Sequence, residues 1–73
     1  MNYTFTLDTE AITRGVGSII ATRLSSGNKY RYLFSARTLA DADAMLAEFQ
    51  AAESPVVVCQ KYNLDAEKLP SRR

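Results

Sequence analysis

The segment from Thr38 to Glu53, TLADADAMLAEFQAAE, constrains the rest of the chain most, because its pattern fits only an amphipathic helix. Leu39, Ala42, Met45, Leu46 and Phe49 recur at three- and four-residue steps, which places them in one stripe. The Thr38 hydroxyl can accept an orphan amide of the first turn, and Asp41 three residues on completes a capping pair. Pro55 closes the segment, since the residue before a proline is pushed out of helical geometry. The other elements must pack around this stripe.

Most of the other elements read as strands. Tyr3, Phe5 and Leu7 alternate with Asn2, Thr4 and Thr6, the pattern of a half-buried strand. DTEAITRGVG has too few periodic apolar positions for a full helix and holds at most one turn between Asp8 and Arg14, stopped by Gly15. The β-branched run from Ser18 to Leu24 reads as a second strand and Lys29 to Ala36 as a third. SSGN between them is turn chemistry, with Gly27 or Asn28 able to turn left-handed, so residues 18–36 form a hairpin. After Pro55, VVVCQKY is short, apolar and β-branched, which predicts a fourth strand buried on both faces at its start. NLDAEKLP is expected to hold one helical turn, and residues 71–73 to form a frayed basic tail.

The expected architecture is one small α+β domain over residues 1–73, in the order βββαβ. A mainly antiparallel four-stranded sheet carries one long helix on one face. A full helix after the first strand would give the ferredoxin-like order βαββαβ instead. The nine residues Asp8–Val16 are short for that crossover, which takes about 10 to 12.

One helix shields one side of a sheet, so the other side matters for function. The inward set is expected to be Tyr3, Phe5, Leu7, Ile20, Leu24, Tyr32 and Phe34. Period two then sends Ile19, Ala21, Arg23, Arg31 and Leu33 outward, joined by Val57 and Lys61 if the last strand keeps phase. Aliphatic side chains grouped on an open face point to association with a partner, because monomers seldom leave large apolar patches bare. On the helix, Ala40, Ala44, Ala47 and Ala51 form a second, smooth stripe. Helix propensity alone accounts for those alanines, and close approach of a partner helix is the sharper reading. A chain of 73 residues lies near the lower limit of what folds alone, so help from a second subunit is in keeping with its size.

Charge is unevenly placed. The helix carries Asp41, Asp43, Glu48 and Glu53 with no Lys or Arg, which leaves nine basic and four acidic residues elsewhere. Such a dipolar chain can steer toward partners of either sign. Asp41 and Asp43 suit the positive end of the helix dipole, whereas Glu53 sits at the wrong end for that explanation.

Residue types argue against catalysis. There is no histidine, so the commonest general base and zinc nitrogen ligand are missing. Cys59 is the single cysteine, has no activating partner, and sits in a valine run where a thiol acts as a small hydrophobe. Asp41 and Asp43, two apart on a helix, point to different sides and cannot share a proton. Neither Asp8 with Glu10 nor Asp65 with Glu67 has metal-binding spacing. Arg14-Gly15-Val16-Gly17-Ser18 is followed by a strand and not by the helix whose amides hold a phosphate, so the glycines read as a turn. No cofactor and no enzyme activity are expected. With no basic and apolar leader at MNYTFTLD and no apolar run near the ~20 residues that span a bilayer, a cytoplasmic protein without a membrane partner is expected.

Binding therefore remains as the function. Sheet-face RNA binders need aromatic rings on the open face, but Tyr30, Tyr32 and Phe34 alternate with Arg31 and Leu33 and face the other way. Nucleic-acid binding by a basic open face (Arg23, Arg31, Lys61) is accordingly the alternative and not the first expectation. A compact, cofactor-free chain with a small sheet, one helix and charge segregated by element resembles the small inhibitors made by phages and mobile elements, of which anti-CRISPR proteins are the best known. The resemblance covers the whole chain as architecture, rests on no shared motif and carries over no residue. It implies inhibition by occupancy of a surface on a larger complex, such as a nucleic-acid-handling machine. The expected contact residues are Ile19, Arg23, Arg31 and Leu33 on the open face and Asp41, Asp43 and Glu48 on the helix edge, the latter suited to a lysine-rich groove. A homodimer through the open face or an edge strand is also expected.

Overall fold

The computed structural model describes residues 2–52 and 54–70. Strands β1 (Tyr3–Asp8), β2 (Val16–Arg23) and β3 (Lys29–Ser35) are followed by helices α1 (Leu39–Ala51) and α2 (Pro55–Tyr62), and then by strand β4 (Asp65–Leu69). The four strands form one antiparallel sheet in the order β1-β2-β3-β4. This is the α+β class expected, with a second helix added. Between β1 and β2 there is a single 3-10 turn, Ile12–Arg14, so the ferredoxin-like order does not arise. Gly15 ends that turn at φ 80, and Gly27 takes the left-handed position in the hairpin loop at φ 76.

Thr38 caps α1 as expected: its Oγ1 accepts the Asp41 amide at 3.2 Å. Asp41 reaches back one residue further than a standard capping box, its Oδ2 accepting the Arg37 amide at 3.2 Å. Ala42 and Phe49 are buried, with Met45 and Leu46 packed against the core. Leu39 does not follow this stripe and is 61 % exposed, because it opens the first turn ahead of the sheet contact.

The fourth strand expected at 55–61 is a helix. Ser54 is extended (φ −147, ψ 140), as a residue before proline should be, and its Oγ accepts the Val56 amide at 3.2 Å. Pro55 ends α1 and also starts α2, where its fixed φ and missing N–H suit the first helical position. Asn63 closes α2 in the left-handed region, and Pro55 and Val58 bury three residues apart. Caps at both ends and this spacing outweigh the strand preference of three valines.

The helical turn expected in NLDAEKLP is instead β4. DAEKL favours helix locally, but its backbone completes the ladder along β3, pairing Glu67 with Arg31 and Ala66 with Tyr32. Its charged, exposed side chains suit an edge strand and discourage further strand addition.

The core lies between one sheet face and the two helices. Ile19, Ala21, Tyr32, Phe34, Ala36, Ala42, Phe49 and Val58 form the buried cluster. Phe49 of α1 meets the rings of Phe5 at 5.8 Å and Tyr32 at 5.3 Å. The expected phase of β2 is corrected by one residue. Leu7 pairs with Ile19 and Phe5 with Ala21, while Ile19 also pairs with Tyr32 across the other ladder. Directly opposed residues share a face, so Ile19 and Ala21 turn inward with the aromatic rings and Ile20 turns outward. Adjacent isoleucines make either phase equally apolar, and only the neighbouring strands decide. Leu24 lies beyond the strand and is 55 % exposed. Glu53 and residues 71–73, including the expected tail, lie outside the described residues.

Candidate functional site

The registers place Thr4 and Thr6 of β1, Val16, Ser18, Ile20 and Thr22 of β2, Lys29, Arg31 and Leu33 of β3, and Asp65, Glu67 and Leu69 of β4 on the face turned away from the helices. No element among the described residues covers this face. Val16, Ile20, Leu33 and Leu69 are half-buried there, whereas Thr4, Thr6, Asp65 and Glu67 are exposed. Its charge is divided by strand: β3 presents Lys29 and Arg31, and β4 presents Asp65 and Glu67. Arg31 is directly opposite Glu67 yet forms no ion pair with it, and among the described residues its Nε is buried without a hydrogen-bond partner. A buried donor left unmet costs about 1–3 kcal/mol.

The expected contact residues do not form one surface. Arg31 and Leu33 are on the open face. Ile19 is fully buried and cannot touch a partner in this fold. Arg23 pairs with Tyr3 at the end of β2 and so belongs to the helix side of the sheet. Val57 and Lys61 are on α2 and not on the sheet. Asp41 and Asp43 are exposed on α1, but Asp41 is engaged with the Arg37 amide. Glu48 is committed within the chain: its Oε2 accepts from the Tyr62 hydroxyl at 2.7 Å and its Oε1 lies 3.6 Å from Lys61 Nζ. The Lys61 ammonium is held above its ordinary pKa, first by the Glu48 charge and then by Tyr62, whose ring lies 5.2 Å away. These contacts fasten α2 to α1 and leave the acidic edge two residues, too few for a charged docking strip.

Two concavities lie at the end of the sheet where β2 begins and β3 ends. One, of about 540 Å³, is lined by apolar Val16, Leu33, Phe34, Met45 and Leu64 and by polar Ser35, Tyr62, Asn63 and Asp65. The other, of about 340 Å³, is lined by Ile12, Thr13, Arg14, Gly15 and Arg37. Nothing in the spacing of Arg14 and Arg37 announces their proximity. It follows from a backbone bond, Ala36 N–H to the Gly15 carbonyl at 3.1 Å, which ties the 3-10 turn to the exit of β3.

The thiol of Cys59 is half-buried and donates to the Leu64 carbonyl at 3.2 Å, a packing role in keeping with its valine neighbours. Among the described residues no three His, Cys, Asp or Glu side chains converge as metal ligands, and no helix is long and apolar enough to cross a membrane. No family model, curated protein or solved structure matches the chain.

Proposed function

We propose that this chain is a non-catalytic binding protein that acts by protein–protein contact through the open face of its sheet, self-associating there or covering a surface of a larger complex as small phage inhibitors do. The observation that carries this reading is the uncovered face, where Ile20, Leu33 and Leu69 lie beside Arg31 and Val16 extends the apolar patch along β2. The side-by-side basic and acidic strands favour a second copy as the first occupant. A two-fold operation can set Lys29 and Arg31 of one copy over Asp65 and Glu67 of the other. Nucleic acid fits this face less well, because Tyr3, Phe5, Tyr30, Tyr32 and Phe34 all belong to the helix-covered side and leave no ring for base stacking.

Leu33→Glu and Ile20→Glu, placed on separate strands, test the reading. Light scattering is expected to show a dimer for the parent chain and a monomer for both variants. Capture of host proteins on immobilised chain, if it occurs through the same face, should fall in both variants as well. A parent chain that is monomeric at every concentration, with capture unchanged by either substitution, would remove the open face as the binding surface.

A further inference from the structure

The basic pocket and the apolar cleft adjoin, since Gly15 lines both. Gly15 is fixed from two sides: its N–H donates to the Ile12 carbonyl, and its carbonyl accepts from the Ala36 amide. Arg14 and Arg37 flank this junction and are exposed, and the Arg37 stem runs alongside it, with Cγ 4.0 Å from where a Gly15 side chain would begin. Neither guanidinium has an ion pair or side-chain hydrogen bond among the described residues. Asp41 accepts the Arg37 amide and Asp8 the Glu10 amide, while a third acid, Asp65, lines the adjoining cleft. Two guanidinium groups with no ion pair among the described residues, beside one hollow, offer the planar fork that carboxylates and phosphates bind. The apolar part of the cleft, on the far side of a residue without a side chain, offers room for a hydrocarbon body, and both volumes are in the range of small-molecule sites.

We infer that this end of the molecule binds a small organic anion, with its oxyanion head between Arg14 and Arg37 and its apolar body in the cleft lined by Val16, Met45 and Leu64. The site shares Val16 and Leu33 with the open sheet face but uses neither Ile20 nor Arg31, so Ile20→Glu tests the face without altering the cleft.

Octanoate is a suitable probe, titrated into ¹⁵N-labelled protein alongside octanol, which lacks the charge, and acetate, which lacks the tail. Saturable shifts are expected with octanoate at Arg14, Gly15, Arg37, Met45 and Leu64, with octanol and acetate weaker by about tenfold or more. The double variant Arg14→Ala/Arg37→Ala, confined to exposed side chains, should keep the parent spectrum elsewhere and bind octanoate about tenfold more weakly. Equal binding of octanol would reduce the site to a greasy patch, and equal binding of acetate to a simple ion contact. Either result, or octanoate affinity unchanged in the double variant, would overturn the inference.

Discussion

Phe34 lies directly across the ladder from Gly17, and its ring fills the place where a side chain at position 17 would begin: a Cβ there would sit 2.6 Å from Cε2 and 2.8 Å from Cζ. The glycine is needed for close approach, because it lets an aromatic ring lie flat on the neighbouring strand. Gly17→Ala should therefore destabilise the domain by about 1–3 kcal/mol, as an overpacked core does. Urea denaturation would show a lower midpoint with little change in slope. An unchanged midpoint would mean that the ring moves aside freely.

Phe49 is fully buried and joins α1 to the sheet through ring contacts with Phe5 of β1 and Tyr32 of β3. Phe49→Ala should cost about 3–5 kcal/mol. A domain of this size has a total stability of the same order, so the variant is expected to be largely unfolded by circular dichroism at room temperature. Phe49→Leu, which keeps most of the volume, should still fold with a lowered melting temperature.

The start and stop of α2 can be tested separately. Ser54→Ala removes the Oγ acceptor of the Val56 amide and should cost about 1 kcal/mol. Asn63→Val puts a β-branched side chain at φ 55 and should cost about 1–2 kcal/mol. If thermal melts of both variants coincide with the parent, residues 55–62 are not held as a capped helix.

Tyr32 gives the fold an alkaline limit. Burial raises its phenol above the ordinary value of 10.0, with smaller contributions from Cys59, Tyr3 and Tyr30. A raised folded-state pKa favours the protonated form, so its contribution is intact below pH 10.0 and is lost as the pH climbs through the folded value. Stability measured by denaturant should fall above about pH 10, and Tyr32→Phe should flatten part of that fall. Equal slopes for the two proteins would assign the loss to other groups.

The parts of this fold legible in the sequence are those with local causes. Thr38, the 3.6-residue stripe through Phe49, and the alternation of Tyr3, Phe5 and Leu7 each act within a few residues of themselves. The failures have non-local causes. Ile19 and Ile20 offer equal candidates for one inward position, and only the registers with β1 and β3 choose between them. DAEKL extends because β3 has an open edge, against its own preference. PVVVCQKY differs, since its helix signals, Ser54, Pro55 and Asn63, are local, yet the three β-branched valines between them point to a strand. Of the site, Arg31 and Leu33 were legible from alternation, while the meeting of Arg14 with Arg37 depends on one main-chain bond between distant segments.

β4 keeps four of its five side chains in solvent, so its grip on the domain comes chiefly from main-chain bonding to β3. Such a strand is the first region of the sheet to come loose, since little apolar area is given up when it leaves. Once loosened, it uncovers the polar backbone margin of β3, and the vacated groove matches the very sequence that left it. A neighbouring molecule carries that same sequence, so crowding many copies together would favour reciprocal exchange of tails, a route to pairing that keeps every native contact while changing which molecule supplies it.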